Sequence, residues 1–234
     1  MPLEENIRMV RERIARAARE AGRDPGEITL EAATKVQTSD TIRAAIAAGI
    51  TVCGENRVQE LTAHLDDCAY DGAQIHFIGH LQTNKVRFVA GRVDLIESVD
   101  SLRLLEAVDR QAARLGLVQD ILLEVNIARE ASKGGCLPED LLELARRAGA
   151  LAHVRVRGVM SIPPAAAGPG GNRGYFARTR QLFVDIRKEM GDNNPDINCL
   201  SMGMSGDYED AVREGATLVR VGAALFGPRP PVQP

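Results

Sequence analysis

Short apolar runs alternate with amphipathic stretches along nearly the whole chain, and no other feature of the sequence restricts its fold so strongly. "ITLEAAT" precedes "DTIRAAIAAG", "ITVCG" precedes "NRVQELTAHLDD", and "QIHFIG" precedes "TNKVRFVAG". The order continues with "VDLIESV" before "DSLRLLEAVDRQAARLG", "VQDILLEVNI" before "PEDLLELARRAGA", and "VRVRGVMSI" before "YFARTRQLFVDIRKEMG". "INCLSMGM" before "GDYEDAVREG", and then "TLVRVGAALFG", close the pattern. Strands that alternate with helices pair in parallel, because each helix carries the chain back across the sheet. About eight such units are what a closed (β/α)8 barrel requires, so the sequence predicts an α/β TIM barrel. A doubly wound open sheet is the alternative, and it normally takes fewer units.

Ahead of the first unit, Ile7, Val10, Ile14, Ala18 and Ala21 recur at helical spacing, with Arg8, Arg11, Glu12 and Arg19 opposite and Gly22 as a stop. An extra N-terminal helix is expected there. With 234 residues, 44% of them hydrophobic, the chain fits one domain over 1–234. The stretch "PPAAAGPGGNRG", Pro163 to Gly174, reads as a loop after the sixth strand rather than a domain boundary.

A net charge of −3 with no basic stripe argues against nucleic-acid and membrane partners. The start, "MPLEENIRMV", has neither a signal-peptide nor a membrane-span pattern, so a cytoplasmic location is expected. Cys53, Cys68, Cys136 and Cys199 lack Cys-x-x-Cys spacing, and the histidines are far apart, so no metal site and no disulfide framework is expected.

Period-two counting puts Thr29, Glu31, Ala33 and Lys35 on one strand face, with Lys35 at the carboxyl end where barrel enzymes keep their reactive groups. A lysine shielded from water favours its neutral amine, which can form a Schiff base with a carbonyl; the alternative is a solvated surface lysine. Ser205 with Gly206, and Gly222 with Ala223, fall where helices begin after the last two strands. Small residues at a helix amino end expose N–H groups that hold phosphate; here they can equally be turns and caps. Arg220 shares an inward face with Leu218, to be satisfied either by a ring nitrogen or by a barrel carboxylate such as Glu124. "CGENRVQE", with Glu55 and Asn56, and "HFIGHLQTNK", with His76, His80, Gln82 and Lys85, end strands on the same rim. His76, on an apolar strand, reads as a hydrogen-bonded core residue rather than a ligand.

Taken together, "TK" at 34–35, "GENRVQE" at 54–60, "HFIGHLQTNK" at 76–85, "SKGG" at 132–135, "RGVMSI" at 157–162, "LSMGMSGDYEDAV" and "GATLVRVGAALFG" resemble the YggS-type pyridoxal phosphate homeostasis proteins over residues 5 to 228. That family's barrel is similar to the amino-terminal domain of alanine racemase, a fold-type III arrangement. The resemblance implies pyridoxal 5′-phosphate as cofactor, with Lys35 as its Schiff-base residue, Ser205, Gly222 and Ala223 at its phosphate, Arg220 at its ring nitrogen, and Asn56 and Met160 along its sides. Two features depart from the family pattern: no proline follows the lysine in "KVQTSD", and Glu31 stands where an apolar residue is expected.

An arginine at the ring nitrogen keeps it unprotonated and weakens the ring as an electron sink. With Tyr70, Tyr175 and Tyr208 as the only tyrosines and no second domain after "FGPRP", no paired acid and base stands out. The resemblance implies a carrier that stores the cofactor and passes it to apo enzymes, without strong catalysis of its own; a monomer is expected, though no sequence feature carries that. The rivals are a racemase-like enzyme that uses the cofactor, a cofactor-free Schiff-base aldolase, and a barrel that serves only as an interaction module.

Overall fold

The computed structural model describes residues 2–165, 168–191 and 196–227. Ala166 and Ala167 of the proline- and glycine-rich stretch, and residues 228–234 at the end of the expected domain, lie outside the described residues.

Eight parallel strands close into a barrel in sequence order, β1 pairing with both β2 and β8. They are β1 (Thr29–Ala33), β2 (Val52–Glu55), β3 (Gln74–Phe77), β4 (Leu95–Val99), β5 (Gln119–Val125), β6 (Val154–Ser161), β7 (Cys199–Ser201) and β8 (Leu218–Val221). The helices are α1 (Leu3–Glu20), α2 (Ser39–Ala47), α3 (Val58–Asp66), α4 (Leu102–Leu115), α5 (Leu141–Gly149), α6 (Arg173–Glu189), α7 (Tyr208–Arg213) and α8 (Ala223–Phe226). The predicted barrel is the observed one.

Details differ where the local signal is thin. The segment after β3 is a 3-10 helix, Thr83–Phe88, in place of the expected α-helix, and it starts without a side-chain cap. Its short length and β-branched Val86 leave too few i to i+4 bonds to hold an α-helix. β7 is only three residues long, because the chain turns away directly after Ser201. Within "PPAAAGPGGNRG", α6 already begins at Arg173, and Asn172 ties the loop down by donating to Pro164 O at 2.9 Å and Asp207 Oδ2 at 2.7 Å.

The extra helix α1 buries Ile7, Val10, Ile14, Ala17 and Ala18 against α7 and α8. It lies outside the seam where β8 meets β1. Asn6 Nδ2 donates to Leu225 O at 2.7 Å, and Arg23 Nη1 donates to Val212 O and Ala216 O at 2.8 Å. The first helix thus braces the last two, which shape one end of the barrel mouth.

Candidate functional site: the upper mouth of the barrel

The chain leaves β1 through a tight turn in which Gln37 N donates to Thr34 O at 3.0 Å. Val36, third in that turn, has φ of 59°, a left-handed value that a β-branched side chain adopts only under strain. Val36 N is held by Glu60 Oε2 at 3.2 Å. The turn places half-buried Lys35 at the carboxyl end of the strand.

Lys35 opens onto a cavity of about 490 Å³, of ordinary size for a small ligand. Asn56, Ser205, Arg220, Gly222 and Ala223 line the same cavity. Sequence reasoning thus selected residues that the barrel brings together from β1, β2, β8 and the loop after β7. Ser205 Oγ accepts from Gly222 N and Ala224 N, each at 3.2 Å, at the amino end of α8. Ile78, Ile162, Met204 and Phe226 complete apolar parts of the wall, which no isolated motif marks.

Met160 stands elsewhere. It is fully buried inside the barrel with Leu95 and Leu122, while Ile162 packs on that cluster and carries the cavity wall instead. Two residues on one strand face stack along the barrel axis, so the inner one is shielded by the outer.

Glu55 is also turned away from the cavity. Its Oε1 accepts from Thr34 Oγ1 at 2.6 Å and Tyr70 OH at 2.9 Å, with His64 Nδ1 at 3.1 Å, in a buried cluster behind the Lys35 turn. Burial, then the Glu55 charge, pushes the Tyr70 phenol up and keeps it neutral. His80, Gln82 and Lys85 line a separate side groove that meets the main cavity only at Asn56.

Arg220 is 3% exposed and is held from below. Its guanidinium donates to Ser201 Oγ and, at 2.9 Å, to Ser161 O. Ser201 Oγ donates to Glu97 Oε2 at 2.6 Å, and that oxygen lies 3.8 Å from Arg220. The barrel carboxylate beside Arg220 is therefore Glu97 rather than Glu124. Glu97 went unnoticed in the sequence, though an acid inside the apolar run "DLIESV" carries the same signal as Glu31.

Glu31 finds its partner across the barrel. His76 Nδ1 lies 3.1 Å from Glu31 Oε2 and 2.8 Å from Glu97 Oε1, all three residues being buried. Gly54 makes the room, since a Cβ there would sit 1.8 Å from Glu31 Oε1. Burial and the nearby Glu97 charge raise the Glu31 carboxyl to about 8. Burial alone would lower His76, but its hydrogen bonds to Glu31 and Glu97 outweigh it and raise the imidazolium to about 10. Burial would likewise raise Glu97, yet the His76 hydrogen bond and charge hold it down to about 2. Burial and the Glu97 charge thus favour the protonated Glu31 carboxyl, the two carboxylates favour the protonated imidazole, and His76 favours the Glu97 anion.

Over residues 3–230 the chain matches the family described as "Alanine racemase, N-terminal domain". The "Pyridoxal phosphate homeostasis protein" of Aquifex aeolicus (strain VF5) is 41% identical over 225 residues, covering 96% of this chain and 97% of that protein. The structure of PipY from Synechococcus elongatus PCC7942, solved with PLP bound, superposes with a TM-score of 0.82 at 33% identity, over 97% of this chain and 100% of its own. Alanine racemase from Streptomyces lavendulae matches with a TM-score of 0.73 at 21% identity, over 97% of this chain and 58% of the racemase; it shares the fold. By this match and this identity over nearly its full length, the chain belongs to the alanine racemase N-terminal domain family and, within it, to the pyridoxal phosphate homeostasis proteins.

Proposed function

We propose that this protein binds pyridoxal 5′-phosphate in the upper mouth of a single barrel domain, expected over 1–234, and serves its homeostasis as a carrier. One observation carries the reading. Lys35 and the Ser205, Gly222 and Ala223 end share one cavity, with Arg220 in its wall. The donor set suits the group: a primary amine for the aldehyde, and a hydroxyl with backbone amides at a helix amino end for the phosphate. Room suits it as well, because a Cβ built on Gly206 would meet nothing within 4 Å.

When bound, the cofactor would supply an aldehyde, a group that a lysine amine can hold covalently and reversibly. The protein's own residues bind and orient it. Lys35 would provide the covalent tether, Ser205, Gly222 and Ala223 would hold the phosphate, Arg220 would serve the ring nitrogen, and Asn56 would line the ring. Met160 contributes from beneath, by supporting Ile162.

The lining favours storage over turnover. Apart from Lys35 and Arg220, the described cavity-lining residues carry no side chain that titrates in the ordinary range, and none is a tyrosine. Racemisation needs an acid and a base on opposite faces of the cofactor, and this wall offers one amine. The relatives' names favour the cofactor over a cofactor-free aldolase. The protein then works as a cytoplasmic monomer that releases the cofactor to apo enzymes. No described helix is long and apolar enough to cross a membrane.

The test is reduction of the cofactor-incubated protein with borohydride, followed by peptide mapping. A pyridoxyl group on the peptide containing Lys35, and none in Lys35→Ala, is the expected result. Label on another peptide, or no label at all, overturns the reading.

A further inference from the structure

Below the upper cavity, polar groups form one continuous file through the barrel: Arg220 to Ser201, Ser201 to Glu97, Glu97 to His76, His76 to Glu31. The file reaches both ends of the barrel, since Arg220 lines the upper cavity and His76 lines a separate lower one. Such a file is costly in a core that could be apolar, as the neighbouring Leu95, Leu122 and Met160 demonstrate.

The directions of the hydrogen bonds are consistent only one way. Arg220 must donate, so Ser201 Oγ accepts from it and donates its own proton to Glu97. Glu97 accepts from Ser201 on one oxygen and from His76 on the other, leaving no spare orientation for its carboxylate. A guanidinium has five N–H donors; Ser201 and Ser161 each take one, and the side chain lines the cavity above them.

We propose that Glu97, clamped by His76, is a positioning residue for Arg220: through the Ser201 hydroxyl it fixes the guanidinium at the place where the cofactor's ring nitrogen meets the cavity wall. The inference rests on the reading that the cavity takes pyridoxal 5′-phosphate. Glu97 lies between His76 and Arg220, so its loss takes one of the two carboxylates from His76 and the acceptor from the Ser201 hydroxyl on which Arg220 rests. The remaining charged or titratable neighbours do not replace it: Glu124 reaches Arg220 and Glu97 only through space, and burial pushes the Cys199 thiol up, keeping it neutral.

Glu31, His76 and Glu97 each bring one ligand-type atom within 4.8 Å of the others, so metal binding is a competing outcome of the test.

The experiment compares two ligands, pyridoxal 5′-phosphate and its 1-deaza analogue, in which CH replaces the ring nitrogen. Wild-type protein should favour the natural cofactor about ten-fold, the ordinary worth of a hydrogen bond to a charged group. In Glu97→Gln and Ser201→Ala that ratio should collapse to about one, and Ser201→Thr should restore it. General damage to the fold would weaken both ligands alike and keep the ratio, which overturns the proposal.

A second readout needs no cofactor. In the ligand-free protein the guanidinium NMR resonances of Arg220 should move in Ser201→Ala and Glu97→Gln; unmoved resonances overturn the positioning role. If the wild type binds neither ligand, the functional reading fails while the resonances still decide the geometry. A divalent ion bound one to one in the ligand-free protein and lost in His76→Gln would also overturn the proposal, by putting a metal where the clamp requires a proton.

Discussion

Glu31 illustrates how one residue's protonation sets the conditions under which the fold is most stable. Its carboxyl is raised from an ordinary 4.5 to about 8, and His76 from 6.5 to about 10. A group that keeps its proton longer when folded stabilises fully below its unfolded value and loses that contribution as pH rises through the folded one. Glu31 thus drains stability between pH 4.5 and about 8, and His76 between 6.5 and about 10. Glu97 runs the other way: held at about 2, its contribution is full above 4.5 and lost as pH falls below it. The thermal midpoint should therefore fall as pH is raised from 5 to 9. Glu31→Gln, which cannot ionise, should flatten the lower part of that fall and gain on the order of 1–3 kcal/mol at pH 9. Denaturant titrations of both proteins at pH 5 and pH 9 check the sign, and equal slopes with pH would contradict it.

Among the elements, the turn after β1 carries the sharpest local cost. A left-handed residue in this position is ordinarily glycine or asparagine, and Val36 is neither. Replacing it relieves strain without touching a buried contact, as the side chain is 50% exposed. Val36→Asn should stabilise the protein by about 1 kcal/mol in urea unfolding, whereas no change would mean the turn relaxes at little cost.

This turn also shows what was legible in the sequence. Period-two counting along "TLEAATK" identifies Lys35 and the rim it stands on, because strand direction and face are local properties. The same counting places Glu31 inside the barrel but names no partner. His76 is 45 residues away and Glu97 lies 104 residues from Ser201, and which of them meet depends on how the eight strands stagger on closing. That Met160 lies beneath the cavity wall was not legible for a related reason: a motif gives proximity to the mouth, not depth below it. The 3-10 helix at Thr83–Phe88 escaped because a six-residue segment is too short for its period to declare itself.

At the scale of the whole molecule, the phosphate end of the proposed site is assembled from the two extremes of the described chain. α8 is four residues long and cannot hold its own geometry by internal bonds. It is held because α1, a separate helix outside the barrel, packs on it and because Asn6 donates to Leu225 O at 2.7 Å. The amides of Gly222 and Ala224 at the other end of that turn are thereby kept pointing at Ser205. Loosening the brace should therefore cost phosphate recognition more than recognition of the ring. Asn6→Ala removes one partly buried hydrogen bond, worth about 1 kcal/mol, and so should weaken pyridoxal 5′-phosphate by up to about five-fold. Pyridoxal, which has the same ring and aldehyde but no phosphate, should bind the variant as it binds the wild type. Paired titrations with the two ligands measure the difference, and an equal loss for both would place the effect of α1 on the barrel as a whole instead of on its phosphate end.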